Sequence, residues 1–140
     1  MSATMPAEVD AAFAAFPAAE RSRLLRVREL VYAVASDTAG VGALTETLKW
    51  GEPSYLTEAS RSGSTVRLAC DSATGAAAVH FICHTRLVDA FRELYPADLR
   101  YAGNRSILVD DDSDEDALRH CLAMALTYHL RKAGGGREPS

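Results

Sequence analysis

Val66-Arg-Leu-Ala-Cys70, Asp71-Ser-Ala-Thr-Gly75 and Ala77-Ala-Val-His-Phe-Ile-Cys83 are the consecutive segments that decide the fold. In the first, Val66, Leu68 and Cys70 share one face and Arg67 points to the other, the period of two that a strand imposes. The second is rich in residues that tolerate turn geometry. The third therefore folds back as an antiparallel partner, with Val79, Phe81 and Cys83 toward the core and His80 and Ile82 toward the opposite side. Such a tight connection excludes a parallel pairing, which needs a crossover of roughly a dozen residues or more.

Downstream, Thr85 is placed to cap a helix that buries Leu87, Val88, Phe91 and Leu94 and ends before Pro96. Residues 99–109 read as a second hairpin turning at Gly103-Asn104. A last helix begins near Ser113, with Asp116 completing a capping-box pattern, and carries Leu118, Cys121, Leu122, Ala125 and His129 on one stripe. Upstream, residues 6–16 predict a short helix and Pro17 opens a second, in which Leu24, Val27, Val31, Val34 and Ala35 form the apolar stripe with Arg28 inside it. Leu44 to Trp50 alternates as a strand, with Leu48 and Trp50 on its apolar side and Glu46 breaking that side, until Pro53 interrupts it.

The order is two helices, three strands, a helix, a strand hairpin and a final helix. That is an α+β fold with a mostly antiparallel sheet of about five strands, helices packed on one face and the other face left open. An open concave face is a natural binding site. Residues 1–132 read as one domain, and residues 133–140, without an apolar anchor, as a flexible tail.

The 140 residues carry a net charge of −4, which supplies no basic footprint for nucleic acid. No apolar run approaches the roughly 18 residues of a membrane-spanning helix, and the first residues lack the pattern of a secretory leader, so the expected location is cytoplasmic. Cys70, Cys83 and Cys121 are odd in number and lack CxxC spacing, which suits free, buried thiols better than disulfides.

Lys49-Trp-Gly-Glu-Pro-Ser-Tyr55 concentrates unusual chemistry. Lys49, Trp50, Glu52, Ser54 and Tyr55 bring a cation, two aromatics, a carboxylate and a hydroxyl around a constrained chain reversal. Aromatic walls with a few convergent polar groups are what a small-ligand pocket requires. The competing reading makes Trp50 a core anchor, Gly51 to Pro53 an irregular strand exit, and Lys49 and Glu52 solvated charges. Arg28 and Glu46, each a charge on an apolar face, are candidates to pair with each other and to support the pocket.

Other groups point less clearly to chemistry. The acidic run Asp110 to Asp116 could offer oxygen ligands to a hard cation, but it lies where the last helix starts, and carboxylates there complement the helix dipole. His80, Cys83 and His84 include metal-compatible atoms, yet strand alternation sets His80 and Cys83 on opposite faces. No nucleophile elbow, dinucleotide fingerprint or phosphate-binding loop is present, so no nucleotide cofactor has a motif in its favour.

Leu48 to Leu56 resembles the YdhG-like domain family, a group of small bacterial proteins mostly of unknown function. Phe16-Pro17, the Arg28-bearing helix, Thr65-Val-Arg-Leu68, Phe81-Ile-Cys-His84, Gly103-Asn104 and a final helix with Tyr128 and His129 follow in matching order, so that the resemblance spans Phe13 to Lys132. Some members are likened to frataxin, so the resemblance implies iron handling as one role. The leading expectation is a non-enzymatic domain that handles a small ligand or a metal through Lys49 to Tyr55. The alternatives are a protein-interaction or self-association module, including a homodimer, and a small enzyme using Glu52 or His84 as acid and base.

Overall fold

A computed structural model describes residues 4–130; the tail expected at 133–140 lies outside them. The amino-terminal helix α1 (Ala7–Ala14) starts after Pro6 and stops before Pro17, whose ring opens α2 (Ala18–Asp37). Arg21, in the first turns of α2, folds back over the end of α1 and donates to the carbonyls of Phe13, Ala14 and Phe16 at 3.1, 3.1 and 2.9 Å. One guanidinium thereby reaches three carbonyls at the α1 end, adding to the Phe16 N–H that already bonds Phe13 O.

Six strands follow: β1 (Thr45–Lys49), β2 (Glu52–Leu56), β3 (Val66–Cys70), β4 (Ala77–His80), β5 (Arg100–Ala102) and β6 (Ser106–Val109). They form one antiparallel sheet in the order β1-β2-β3-β4-β6-β5. A single 3-10 turn (Cys83–Thr85) leads from β4 into α3 (Leu87–Leu94), and α4 (Glu115–Leu126) follows β6. Helices α1, α2 and α4 all pack against strands of this sheet. Their apolar residues meet Tyr55, Val66, Leu68, Val79 and Ile107 from the strands in one buried core. Among the described residues no helix is long and apolar enough to cross a membrane.

The α+β architecture and the central hairpin are as the sequence predicts, but the sheet has six strands rather than five. The extra strand, β2, contains Pro53. Proline cannot donate to a ladder, so a strand interior normally rejects it. Here Lys49 and Glu52 close a two-residue hairpin, and the next pair, Leu48 and Pro53, is the non-hydrogen-bonded kind. The missing N–H would point toward β3, whose pairing with β2 begins only at Ser54 and Arg67. Proline therefore costs no hydrogen bond at that site.

Two further expectations are corrected. Strand β4 ends at His80 rather than Cys83: the Phe81 N–H still donates to Arg105 O at 2.7 Å, in register with the β4–β6 ladder, but the chain then leaves the sheet for the 3-10 turn that begins at Cys83. Cys83 is consequently exposed instead of facing the core. The cap of α4 is Asp114, one residue beyond Ser113, accepting from the Ala117 N–H at 2.9 Å.

The polar loop between β2 and β3 is tightly docked. Ser62 Oγ donates to Leu126 O at 2.7 Å and the Ser64 N–H to Ala125 O at 2.8 Å, satisfying carbonyls at the end of α4. A side chain at Gly63 would lie 2.3 Å from the Leu126 backbone, so only glycine permits this approach.

Candidate functional site

The β1–β2 hairpin turns on Trp50 and Gly51, with φ of 57° and 75°. Two positive φ values are the mark of a type I′ turn, which matches strand twist and favours Asn-Gly. Glycine is at ease there, whereas an indole-bearing residue is strained by about 1 kcal/mol. Trp50 is also 89% exposed. It is neither the core anchor nor the member of the apolar face of β1 that alternation suggests, because the strand stops one residue earlier.

From this turn, strand alternation divides the motif between two environments. Tyr55 points toward the helices and is fully buried. Its hydroxyl donates to Glu46 Oε2 at 2.8 Å, and Tyr32 from α2 donates to Glu46 Oε1 at 3.2 Å. Arg28 grips the same carboxylate in bidentate fashion, at 2.5 and 2.8 Å. Its guanidinium also lies over the Tyr32 ring at 5.0 Å, and the two tyrosine rings meet edge to face. The hydrogen bonds to Glu46 raise the Arg28 pKa and fix its charge; burial, reinforced by the Glu46 hydrogen bond, pushes Tyr55 up, and burial moves Tyr32 to about 12. Arg28 and Glu46 thus pair, but what they hold is Tyr55 and not Lys49. Tyr55 is removed from the set of ligand-facing residues for the same reason.

The other face of the sheet carries a polar row in register: Thr47 opposite Ser54, Ser54 opposite Arg67, Arg67 opposite His80, and His80 opposite Ser106. Lys49 and Glu52, paired across the hairpin, extend this face toward the turn. Ser54 is fully buried within the row, its hydroxyl donated to Glu52 O at 2.8 Å, so it orders the strand and is shielded from any ligand. His80 and Ser106 are likewise buried and share a hydrogen bond of 2.6 Å. Burial, with the charges of Arg105 and Arg67 beside it, pushes the His80 imidazole down to about 4, so the ring is neutral at pH 7.

Beside this row lies a cleft of about 410 Å³ lined by Lys49, Trp50, Leu56, Thr65, Arg67, Phe81, Ile82, Cys83 and Arg105. Its size is within the range of small-molecule sites, about 300–1,000 Å³. Arg67 Nη1 lies 3.3 Å from Glu52 Oε1, a buried atom that has no aligned hydrogen bond, so the two form an ion pair of poor geometry. Burial raises the Glu52 carboxyl above its ordinary value against the opposing pull of Arg67 and Arg105. Among the described residues, Lys49 and Arg105 have no carboxylate partner. Three cations and one carboxylate leave two positive charges in surplus here, in a chain whose net charge is −4.

The acidic run is occupied elsewhere. Asp111 pairs with Arg23 at 2.9 Å, Glu115 with Arg26 at 3.0 Å, and Asp114 caps α4, so these carboxylates fasten α2 to the start of α4. Among the described residues no three His, Cys, Asp or Glu side chains are placed to hold a metal ion. His84 is exposed on the 3-10 turn, and His120 bonds the Tyr95 hydroxyl at 2.6 Å.

Of the sequence candidates, then, Lys49 and Trp50 line the cleft, Glu52 stands beside it through Arg67, and Ser54 and Tyr55 do not reach it. Arg67 and Arg105 are the residues that sequence reasoning missed. Arg67 carried a signal, a charge on the side of β3 away from the core; Arg105 carried none, because a charge in a turn is ordinary. Compared with family models, curated proteins and solved structures, the chain matches none of them.

Proposed function

We propose that the face of the sheet away from the helices binds a small anionic ligand between the Lys49-Trp50 turn and Arg105, over Arg67. One observation carries this reading: Trp50 breaks two local rules at once, holding a left-handed backbone and exposing its indole, at the rim of a cleft with surplus positive charge. Neither departure helps the turn, and such departures concentrate where function demands them. The positive lining favours an anion over a bare iron cation, although the YdhG-like resemblance keeps iron as the competing ligand. Trp50 is the sole tryptophan, so its emission reports on the cleft directly. Titration with mono- and dianionic metabolites is expected to change that emission and raise the Tm, and Lys49→Ala and Arg67→Gln each to weaken the response. Ferrous or ferric iron producing the only response would overturn the reading in favour of metal handling.

A second reading is favoured by the same exposed indole. Trp50 is the kind of residue that anchors protein interfaces. Light scattering separates the two, since self-association through Trp50 requires a dimer that Trp50→Ala dissolves. An enzymatic role for Glu52 has support in its raised carboxyl and its position opposite Lys49, but His84 has no hydrogen-bonding partner among the described residues that would orient it as a base.

A further inference from the structure

Resting on the anion reading, we infer that the ligand is a small phosphate monoester carrying a planar aromatic ring. The charge surplus selects the head group. A carboxylate offers one negative charge and two oxygens, which would leave one of the two surplus cations unmatched. A phosphate monoester carries about −1.5 to −2 at pH 7 with three strong acceptor oxygens. Arg67 and Arg105 present planar forks suited to paired phosphate oxygens, and Lys49 adds a point charge. Glu52 remains with Arg67 and keeps that guanidinium from swinging into solvent.

The apolar half of the cleft selects the body. Leu56 and Ile82, with the almost fully buried Phe81, form its apolar lining, and the Trp50 indole stands free at the rim. A flat ring can insert between such a lining and an indole, and stacking of this kind is worth enough to change affinity about fivefold or more. His80 contributes by staying neutral: a protonated imidazole beside Arg67 and Arg105 would repel the guanidiniums from their places facing the cleft. Its neighbours on the polar row are Arg67 and Ser106, and the charges of Arg105, from the β5–β6 turn, and Asp71 act on it from outside the row.

Calorimetry on the full chain in low-salt buffer at pH 7.5 tests this with phenyl phosphate, cyclohexyl phosphate and benzoate. Phenyl phosphate should bind tightest, with cyclohexyl phosphate about fivefold or more weaker for want of stacking. Benzoate should be weaker by roughly tenfold or more for want of the second charge. Arg105→Ala, in an exposed turn that keeps its backbone bond to Phe81, should narrow the gap between phenyl phosphate and benzoate. Trp50→Ala should narrow the gap between the two phosphates. Acidifying to pH 5 should weaken phenyl phosphate, whose second ionisation lies near pH 6, while sparing benzoate. Benzoate matching phenyl phosphate would overturn the phosphate assignment and leave the anion site standing; cyclohexyl phosphate matching it would overturn the ring. Tighter binding of a phosphotyrosyl peptide than of phenyl phosphate would reassign the cleft to a protein partner. If no anion binds at all, the anion reading itself fails.

Discussion

The two faces of the β1–β2 hairpin handle charge in opposite ways. Toward the helices, Glu46 is enclosed and every one of its acceptor sites is used, by Arg28, Tyr32 and Tyr55. Toward the open side, Lys49 and Arg105 are unpaired among the described residues and Arg67 is held by a single poorly aligned carboxylate. A satisfied network specifies the position of a strand; an unsatisfied one leaves charge uncompensated at the surface. Seven consecutive residues, Lys49 to Tyr55, feed both.

The contrast can be broken most forcefully at Glu46. Glu46→Ala removes the bidentate carboxylate that holds Arg28, only 4% exposed, leaves that guanidinium with Glu29 at 3.6 Å as a weaker partner, and removes the acceptor of two tyrosines. A loss of about 3–5 kcal/mol in urea unfolding is expected. A loss under about 1 kcal/mol would mean that the enclosed network does not hold the hairpin. Tyr55→Phe keeps the ring and removes one hydrogen bond to a charged group, for about 1.5–3 kcal/mol by the same measurement.

His80 sharpens the comparison from the open side. Its folded pKa of about 4 lies below the ordinary 6.5, so between those values the unfolded chain binds a proton that the native state refuses. The unfolded state then holds more protons, and stability rises with pH across that window and is lost on acidification. Native protein is expected to lose about 1–2 kcal/mol between pH 7 and pH 5. In His80→Asn that difference should largely vanish, and a mutant that keeps the full slope assigns it to other groups.

The smallest expected effect has the opposite sign. Trp50→Asn supplies the residue a type I′ turn prefers and should gain about 0.5–1 kcal/mol, followed by circular dichroism, while weakening phenyl phosphate about fivefold or more. Lower stability in this variant would show that the indole has a structural role after all.

Much of the fold was legible because binary patterns and breakers are local. Val66 to Cys83 announced a hairpin, Pro6, Pro17 and Pro96 bounded helices, and two misplaced charges, Arg28 and Glu46, announced each other. Strand β2 was not legible, since Pro53 is acceptable only at a position where neither neighbouring strand asks for its N–H, and that depends on register. Cys83 was misplaced because the chain leaves the sheet for a 3-10 turn at Cys83, and strand alternation no longer applies there.

The sequence by itself determined the α+β class, the antiparallel hairpins and the presence of an exceptional segment at Lys49 to Tyr55, because period, turn chemistry and composition act over a few residues. Only the tertiary structure decided what that segment does. Alternation across six paired strands turned Tyr55 inward to Glu46 and left Trp50 outside, and it gathered Lys49, Arg67 and Arg105 from three different hairpins into one cleft. Charges so far apart in the chain become one electrostatic site only when the sheet register is set, and register is a property of strands in pairs.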